Sequence, residues 1–182
     1  YNAKHLIVGG TGKIEQHSHG VFIGDLSAII INNLPIWTEL RRTPKKEIAL
    51  LENWEEKLDR MAESVLDQNI CIIAGIPSWT LLLLKKVLEK SGKDSIKEVW
   101  PNLELYIHGG MSFKPYQEAF HEILQIPRMN YVESYNSSEG YFGLQDQIDS
   151  KELLLLTNSQ VFYEFIPMTE FEGLDSKSVI TL

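Results

Sequence analysis

The chain has 182 residues, 43% of them hydrophobic and 23% charged, and its 25 acidic against 17 basic side chains give a formal net charge of −8. This is the composition of an ordinary globular protein of one-domain size, with length enough for a core and no signature of disorder or repeats. The acidic balance argues against unspecific nucleic-acid binding, which needs a basic surface to displace counterions, and no apolar stretch is long enough to span a bilayer.

In chain order, His5-Leu6-Ile7-Val8 reads as a short buried strand running into Gly9-Gly10. Val21 to Ile31 reads as a second apolar strand or buried segment. Thr43-Pro44 is a helix start, a capping hydroxyl followed by proline in the first turn. Behind it, Ile48, Leu51, Trp54, Leu58, Met61 and Val65 form one apolar stripe at helical spacing. Ile70 to Ala74 is strand-like and ends at Gly75-Ile76-Pro77. Ser78 can cap a helix carrying Leu81, Leu84, Val87 and Leu88, with Gly92 as its stop. Leu103 to Ile107 is a third strand, closing on Gly109-Gly110. Pro115 opens a helix through Phe120, Ile123 and Leu124, which Pro127 forbids from continuing.

The last third lacks helical periodicity. Asn130 to Ser134, Tyr141 to Leu144, Glu152 to Leu156 and Val161 to Ile166 are strand candidates, with Asn158-Ser159-Gln160 as a hairpin turn. Strand–helix–strand units followed by a meander predict an α/β fold: one mixed β-sheet with flanking helices, over a single domain spanning residues 1–182. The first residue is Tyr1 rather than Met, and Ser178 to Leu182 reads as a strand cut short. Both ends are therefore expected to be fragment ends, with trimming as the competing explanation.

Several tempting motifs fail. Gly9-Gly10-Thr11-Gly12-Lys13 lacks the first glycine and the final hydroxyl of a phosphate loop, and Glu15 stands where the dinucleotide pattern needs glycine. A turn after a strand is the simpler reading. His17-Ser18-His19 has two imidazoles on one face of an extended segment, but no cysteine or acidic cluster completes a metal site. Ser78 and Ser137 lack the glycines of a nucleophile elbow. Arg41, Arg42, Lys45 and Lys46 read as a solvated loop entering a helix. Cys71, the single cysteine, lies in an apolar run with no cation beside it. That makes it a buried small hydrophobe and excludes an intrachain disulfide, which suits a reducing, cytoplasmic location.

The segment richest in chemistry is Tyr135-Asn136-Ser137-Ser138-Glu139-Gly140-Tyr141-Phe142-Gly143. A tyrosine ring offers a face for a purine, a serine hydroxyl donates to a phosphate oxygen, and a glutamate supplies a hard oxygen for Mg²⁺. A surface turn with a structural glutamate is the alternative on the residues alone.

Tyr135 to Glu139 resembles the Tyr-Ala-Ser-Ser-Glu motif of the auxin-responsive acyl-acid amido synthetase family, within the adenylate-forming superfamily, whose corresponding pattern is Tyr-Gly-X-Thr-Glu. Val99 to Glu104 followed by His108-Gly109-Gly110, Gly75 to Trp79, Gly24 to Ser27 and Phe162 to Pro167 also resemble family segments in the same order, and bacterial members are the most similar. The resemblance implies part of the large N-terminal domain of an adenylate-forming enzyme. It implies ATP and Mg²⁺ as cofactors, with Tyr135 on adenine, Ser138 at the α-phosphate, Glu139 on Mg²⁺, and His108, Gly109, Gly110, Asn136 and Ser137 around the nucleotide. Asn136 replaces the motif's alanine, which leaves the aromatic, hydroxyl and carboxylate roles intact and questions only the local backbone fit. Met111, Tyr141 and Phe142 either line an acyl pocket or belong to the core.

By the same resemblance, the parent protein adenylates a carboxylic acid with ATP and passes the acyl group to an amino acid amine. The family's Ser/Thr/Gly-rich phosphate loop and its ribose-binding Tyr-Arg-X-Gly-Asp motif are not found in this sequence, and neither is its C-terminal lid domain. The chain alone is accordingly expected to be inactive. Two rival readings are an acyl-CoA-forming ligase of the same superfamily and a non-catalytic module with a nucleotide-binding-like fold.

Overall fold

The computed structural model describes residues 3–10, 12–17, 20–173 and 180–181. In chain order its elements are β1 (Lys4–Val8), β2 (Ile14–Gln16), β3 (Phe22–Gly24), α1 (Leu26–Asn33), β4 (Arg42–Thr43), α2 (Lys46–Ala49), α3 (Trp54–Val65), β5 (Ile70–Gly75), α4 (Pro77–Ser91), α5 (Ile96–Val99), β6 (Leu105–Gly109), α6 (Gln117–Leu124), β7 (Asn130–Ser137), β8 (Gly140–Leu144), β9 (Leu154–Leu155), β10 (Glu164–Phe165) and β11 (Ile180–Thr181). Seven strands form one sheet in the order β4-β1-β5-β6-β7-β8-β9. The pairs from β4 to β7 are parallel. Those from β7 to β9 are antiparallel. The mixed α/β sheet with flanking helices read from the sequence is the fold that forms.

The register explains how the core is sorted. Leu6, Ile73, Tyr106 and Tyr131 stand in one row across four strands, and their neighbours Ile7, Ala74, Ile107 and Val132 stand in the next. Successive strand residues point to opposite faces. The first row faces the helices, and Leu6, Ile73 and Tyr106 are fully enclosed together with Met61, Val65, Leu83, Leu84, Val87, Trp100 and Phe120. The second row is only half-buried.

Trp100 anchors this core. Its ring is fully buried and its Nε1–H donates at 3.0 Å to the carbonyl of Val65 at the end of α3, which also accepts from the Gln68 N–H at 3.2 Å. Tyr106 stacks on Phe120 at 4.9 Å and donates its hydroxyl to the Gly75 carbonyl at 2.9 Å, tying β6 to the end of β5.

Local expectations are corrected at several points. Val21, Phe22 and Ile23 are more than half exposed on a hairpin of β2 with β3, and α1 follows, burying only Ala28 and Ile31. Thr43 does not cap a helix; it is a buried residue of β4. The apolar stripe splits into α2 and α3, because Asn53 accepts from the Glu56 N–H at 2.9 Å and starts a new helix. Ser78 lies inside α4, whose N-cap is Ile76 with Pro77 at the first turn. Gly92 closes that helix in the left-handed conformation at φ 64°, as expected. The expected hairpin around Asn158-Ser159-Gln160 does not form: β9 pairs with β8, while β10 pairs with β11. Of the C-terminal strand, Ile180 and Thr181 pair with β10, and Ser178, Val179 and Leu182 lie outside the described residues.

Candidate functional site

Every strand from β1 to β7 that has a parallel neighbour on each side ends at the same edge of the sheet, in a glycine-bearing turn. These are Gly9-Gly10 after β1, Gly75 at the end of β5 and Gly109-Gly110 at the end of β6. The carboxyl edge of a parallel sheet is where such folds place ligands, since helix starts and turn amides point there.

The turns are in contact. A Cβ built on Gly10 would stand 2.9 Å from the Trp79 ring, and one on Gly110 would stand 3.4 Å from Ile76. A Cβ on Gly109 would lie 2.3 Å from the carbonyl oxygen of Ser134, so only glycine lets β6 and β7 close here. Ser134 Oγ donates to the His108 carbonyl at 3.2 Å, fastening the stem of the Tyr135 segment to the Gly109-Gly110 turn.

The Tyr135–Gly143 segment is not a loop but a tight hairpin. Ser137 pairs with Gly140, which leaves Ser138 and Glu139 as the two-residue tip. Tyr135 pairs with Gly143 and Asn136 with Tyr141, so Phe142 is the extra residue of a bulge. That places Phe142 beside Tyr135, ring centroids 5.6 Å apart, and Tyr163 continues the chain of rings at 6.3 Å. Tyr135 is 56% exposed, so a ring face is free to take a flat ligand.

At the tip, the Ser137 hydroxyl donates to the Glu139 carboxylate and accepts from the Glu139 N–H at 3.2 Å. The Ser137 hydroxyl and the Glu139 amide hold the Glu139 carboxyl below the ordinary carboxylate range. The group is ionised at neutral pH and points into solvent. Ser138 is exposed beside it.

Among the described residues no group of three or more His, Cys, Asp or Glu could hold a metal ion. Glu139 therefore fits Mg²⁺ only as a single hard oxygen for an ion carried by nucleotide phosphates, the usual way this ion is bound. His17 is exposed on the strand side of its segment, and His19 lies outside the described residues. Cys71 is a buried free thiol whose ionisation burial pushes up, in keeping with a packing role.

The structure separates some predicted residues. The His108 imidazole is buried, stacked on Phe113 at 4.5 Å on the helix-covered face, so only its backbone belongs to the glycine edge. Burial pushes its pKa down, and it is neutral at pH 7. Met111 and Tyr141 are 40% and 42% exposed, whereas Phe142 is half-buried in the ring chain, so the first two are not core.

Sequence reading missed a second cluster on the same edge, at its β1 end. Lys57 of α3 is 1% exposed, and its ammonium donates to the Gly10 carbonyl. Burial lowers its pKa, opposed by the Asp25 carboxylate. Asp25 caps α1 by accepting from the Ser27 N–H at 2.9 Å, and Ser27 Oγ accepts from the Gly10 N–H at 2.9 Å. The signal was present: Lys57 falls three residues after Trp54 and four before Met61, on the apolar face of its helix. Arg42 is similar, with 5% exposure and a two-pronged pairing to Glu39 at 2.7 Å.

A helix-flanked mixed sheet with a glycine-lined carboxyl edge is compatible with the N-terminal domain of an adenylate-forming enzyme. The model of the GH3 family N-terminal domain matches residues 11–128. The chain belongs to the GH3 family, a family of acyl-adenylating ligases. The matched segment takes in Lys57, Asp25 and Ser27 of the second cluster, α4 and the Gly109-Gly110 turn, begins one residue after Gly10 and ends before the Tyr135 hairpin. No curated protein matches the chain.

Proposed function

We propose that the chain forms the nucleotide-facing part of an ATP-dependent ligase that adenylates a carboxylic acid and transfers the acyl group to the amine of an amino acid. The observation that carries this reading is the juxtaposition of the Tyr135–Glu139 hairpin with the Gly109-Gly110 turn, locked by the Ser134–His108 hydrogen bond. In it, adenine stacks on Tyr135 and lies against Gly109, Gly110 and the His108 backbone, with Asn136 and Ser137 flanking it. Ser138 donates to the α-phosphate, and Glu139 takes the Mg²⁺ that the nucleotide brings. Met111 and Tyr141 are exposed for contact with the acyl group, with Phe142 behind Tyr135.

The chemistry proceeds in two displacements. A carboxylate oxygen attacks the α-phosphorus, forming the acyl–phosphate bond and expelling pyrophosphate. The amine nitrogen then attacks the acyl carbonyl, forming the amide and expelling AMP, and the nitrogen's proton leaves to solvent. Bound Mg²⁺ supplies charge neutralisation on the phosphates. The chain's own residues orient the base and the α-phosphate, the positioning contribution to catalysis. The buried, neutral His108 ring supplies no base at this edge. The ATP requirement and the free Cys71 thiol support a cytoplasmic location, and the order of segments supports the bacterial branch of the family.

The test is a calorimetric titration of the chain with AMP and with MgATP, beside ATP–pyrophosphate exchange over a panel of acids in the full-length ligase. Tyr135→Ala should weaken AMP by about five- to 150-fold, the range of about 1–3 kcal/mol for a base on an aromatic ring. Glu139→Ala should spare AMP, weaken MgATP and abolish acid-dependent exchange. Exchange that survives Glu139→Ala removes the carboxylate from the metal site.

A further inference from the structure

Among the described residues, Lys57 is the most deeply buried charged side chain, at 1% exposure. An ammonium carries three donors. Among the described residues, the Gly10 carbonyl is the single acceptor hydrogen-bonded to this one, and none of the ion pairs includes it. Asp25 acts on it through its field alone. A buried cation held by one carbonyl stabilises a core less than an apolar side chain of the same length would. Packing alone therefore does not account for a lysine at this position.

What the ammonium does is hold one end of Gly10. The other end is held as well: the Gly10 N–H donates to Ser27 Oγ at 2.9 Å, and Ser27 Oγ donates to Asp25 Oδ1 at 2.5 Å. A cation thus grips the carbonyl, and an anion, acting through a hydroxyl, grips the amide. Charge-assisted hydrogen bonds are stronger than neutral ones, and linked bonds polarise one another. The β1 turn is fixed by side chains from two other elements, α3 and the start of α1.

From this turn a continuous path of contacts leads along the carboxyl edge. Trp79 lies on Gly10, where a built Cβ would stand 2.9 Å from its ring. Trp79 belongs to the first turn of α4, and the N-cap of that helix is Ile76. Ile76 in turn lies against Gly110, where a built Cβ would stand 3.4 Å from its side chain. Helix α3 holds both parts at once, because Trp54, three residues before Lys57, packs on Trp79 with ring centroids 5.3 Å apart. Lys57, Gly10, Trp79, Ile76 and Gly110 are thereby linked as one packed body.

We propose that Lys57 is a positioning residue of the ligase. By holding the Gly10 carbonyl it sets the β1 turn, and through Trp79 and the start of α4 it sets the Gly109-Gly110 turn against which the base lies. The inference rests on the nucleotide reading of that edge. Lys57 touches no substrate. The β1 turn supplies support rather than contacts, since the Gly10 N–H is engaged by Ser27 and its carbonyl by Lys57.

The test is a calorimetric titration of the chain with AMP, with a thermal melt of each variant beside it. Lys57→Met keeps the buried stem and removes the donor. It should weaken AMP by about two- to thirtyfold at a temperature where the variant is folded, the range for changes along a packed network. Ser27→Ala releases the amide of the same Gly10 and should weaken AMP too. The double variant should lose less than the product of the two single losses, because both act through one residue. Trp100→Phe, at the far end of α3 where Trp100 meets Val65, should lower the melting temperature and leave AMP affinity unchanged. Ser27 is only half-buried, so Ser27→Ala keeps the test decisive where Lys57→Met does not fold. Wild-type AMP binding that the folded Lys57→Met, or in its place Ser27→Ala, leaves intact overturns the proposal and spares the nucleotide reading. Affinity losses that track melting temperature, Trp100→Phe included, make Lys57 a structural residue only and overturn it as well. A wild-type chain that does not bind AMP overturns both.

Discussion

Alanine at Gly109 should damage the protein far more than alanine at Gly110, although both glycines belong to one turn. At Gly109 the new Cβ would sit 2.3 Å from the Ser134 carbonyl oxygen and 2.9 Å from Ser134 Oγ. A carbon–oxygen contact needs about 3.3 Å, so β6 and β7 must part by about 1 Å. The opening breaks the Gly109–Ser134 pairing and the Ser134–His108 hydrogen bond. Two lost bonds with their groups left poorly solvated come to about 3 kcal/mol. At Gly110 the nearest atoms, of Ile76, are 3.4 and 3.5 Å away, so there is room for a methyl group. The cost there is the backbone alone, φ +77°, and amounts to about 1 kcal/mol. Urea unfolding of the two variants checks this: both midpoints should fall at unchanged m, with the Gly109→Ala loss about three times the other. AMP affinity should fall with Gly109→Ala, because the turn leaves the hairpin. Equal losses, or a smaller one at Gly109, would refute the close approach of β6 to β7.

Three more outcomes follow from buried polar groups. Trp100→Phe shrinks the buried indole and removes its Nε1–H donor, leaving the Val65 carbonyl with the Gln68 N–H alone, and should cost about 1–3 kcal/mol in a denaturant melt; a loss within error would mean that neither the indole packing nor its hydrogen bond stabilises the core. Lys57 is held below the ordinary lysine value of 10.5 by burial, so between its folded value and 10.5 the unfolded chain holds a proton that the folded chain has released. Wild-type stability should therefore rise with pH through that window relative to Lys57→Met, and melts at about pH 8 and pH 10 that keep a constant gap would contradict it. His108 is likewise depressed from 6.5 by burial, so acid protonates the unfolded chain first and stability falls as pH drops below 6.5. His108→Gln should flatten that acid limb in thermal melts between about pH 7.5 and pH 5, and an unchanged slope would place the loss elsewhere.

Much of the fold was legible because burial leaves a period in the sequence. Ile70 to Ala74 and Leu103 to Ile107 read as strands and pair side by side in the sheet, and Met61 and Val65 read as the apolar face of a helix and are fully enclosed. The errors fall where local pattern and tertiary partner disagree. Val21 to Ile23 look buried by composition yet lie exposed on a hairpin, since hydrophobicity says nothing about what packs above a residue. Thr43 offers a capping hydroxyl, but two residues of parallel pairing with β1 claim it for the sheet. Lys57 is not legible in the sequence as an interior group, since a charged residue on a helix defaults to solvent, and the Gly10 carbonyl that accepts from its ammonium is brought to it only by the fold.

The same division runs through the candidate site. Residue chemistry alone pointed to Tyr135, Ser138 and Glu139, because an aromatic, a hydroxyl and a carboxylate stand close together in one short segment, and to glycines where strands end. Tertiary structure decided which of them meet. Parallel pairing carried Gly109 to Ser134, some 25 positions along the chain, and the Ser137–Gly140 pairing closed the Tyr135 segment into a hairpin with Glu139 at its tip. It also divided His108, leaving its backbone at the glycine edge and burying its ring against Phe113 on the helix-covered face. The physical reason is one of range. Side-chain chemistry and periodicity act over a few neighbouring residues, whereas strand register and helix packing join residues that the sequence keeps far apart.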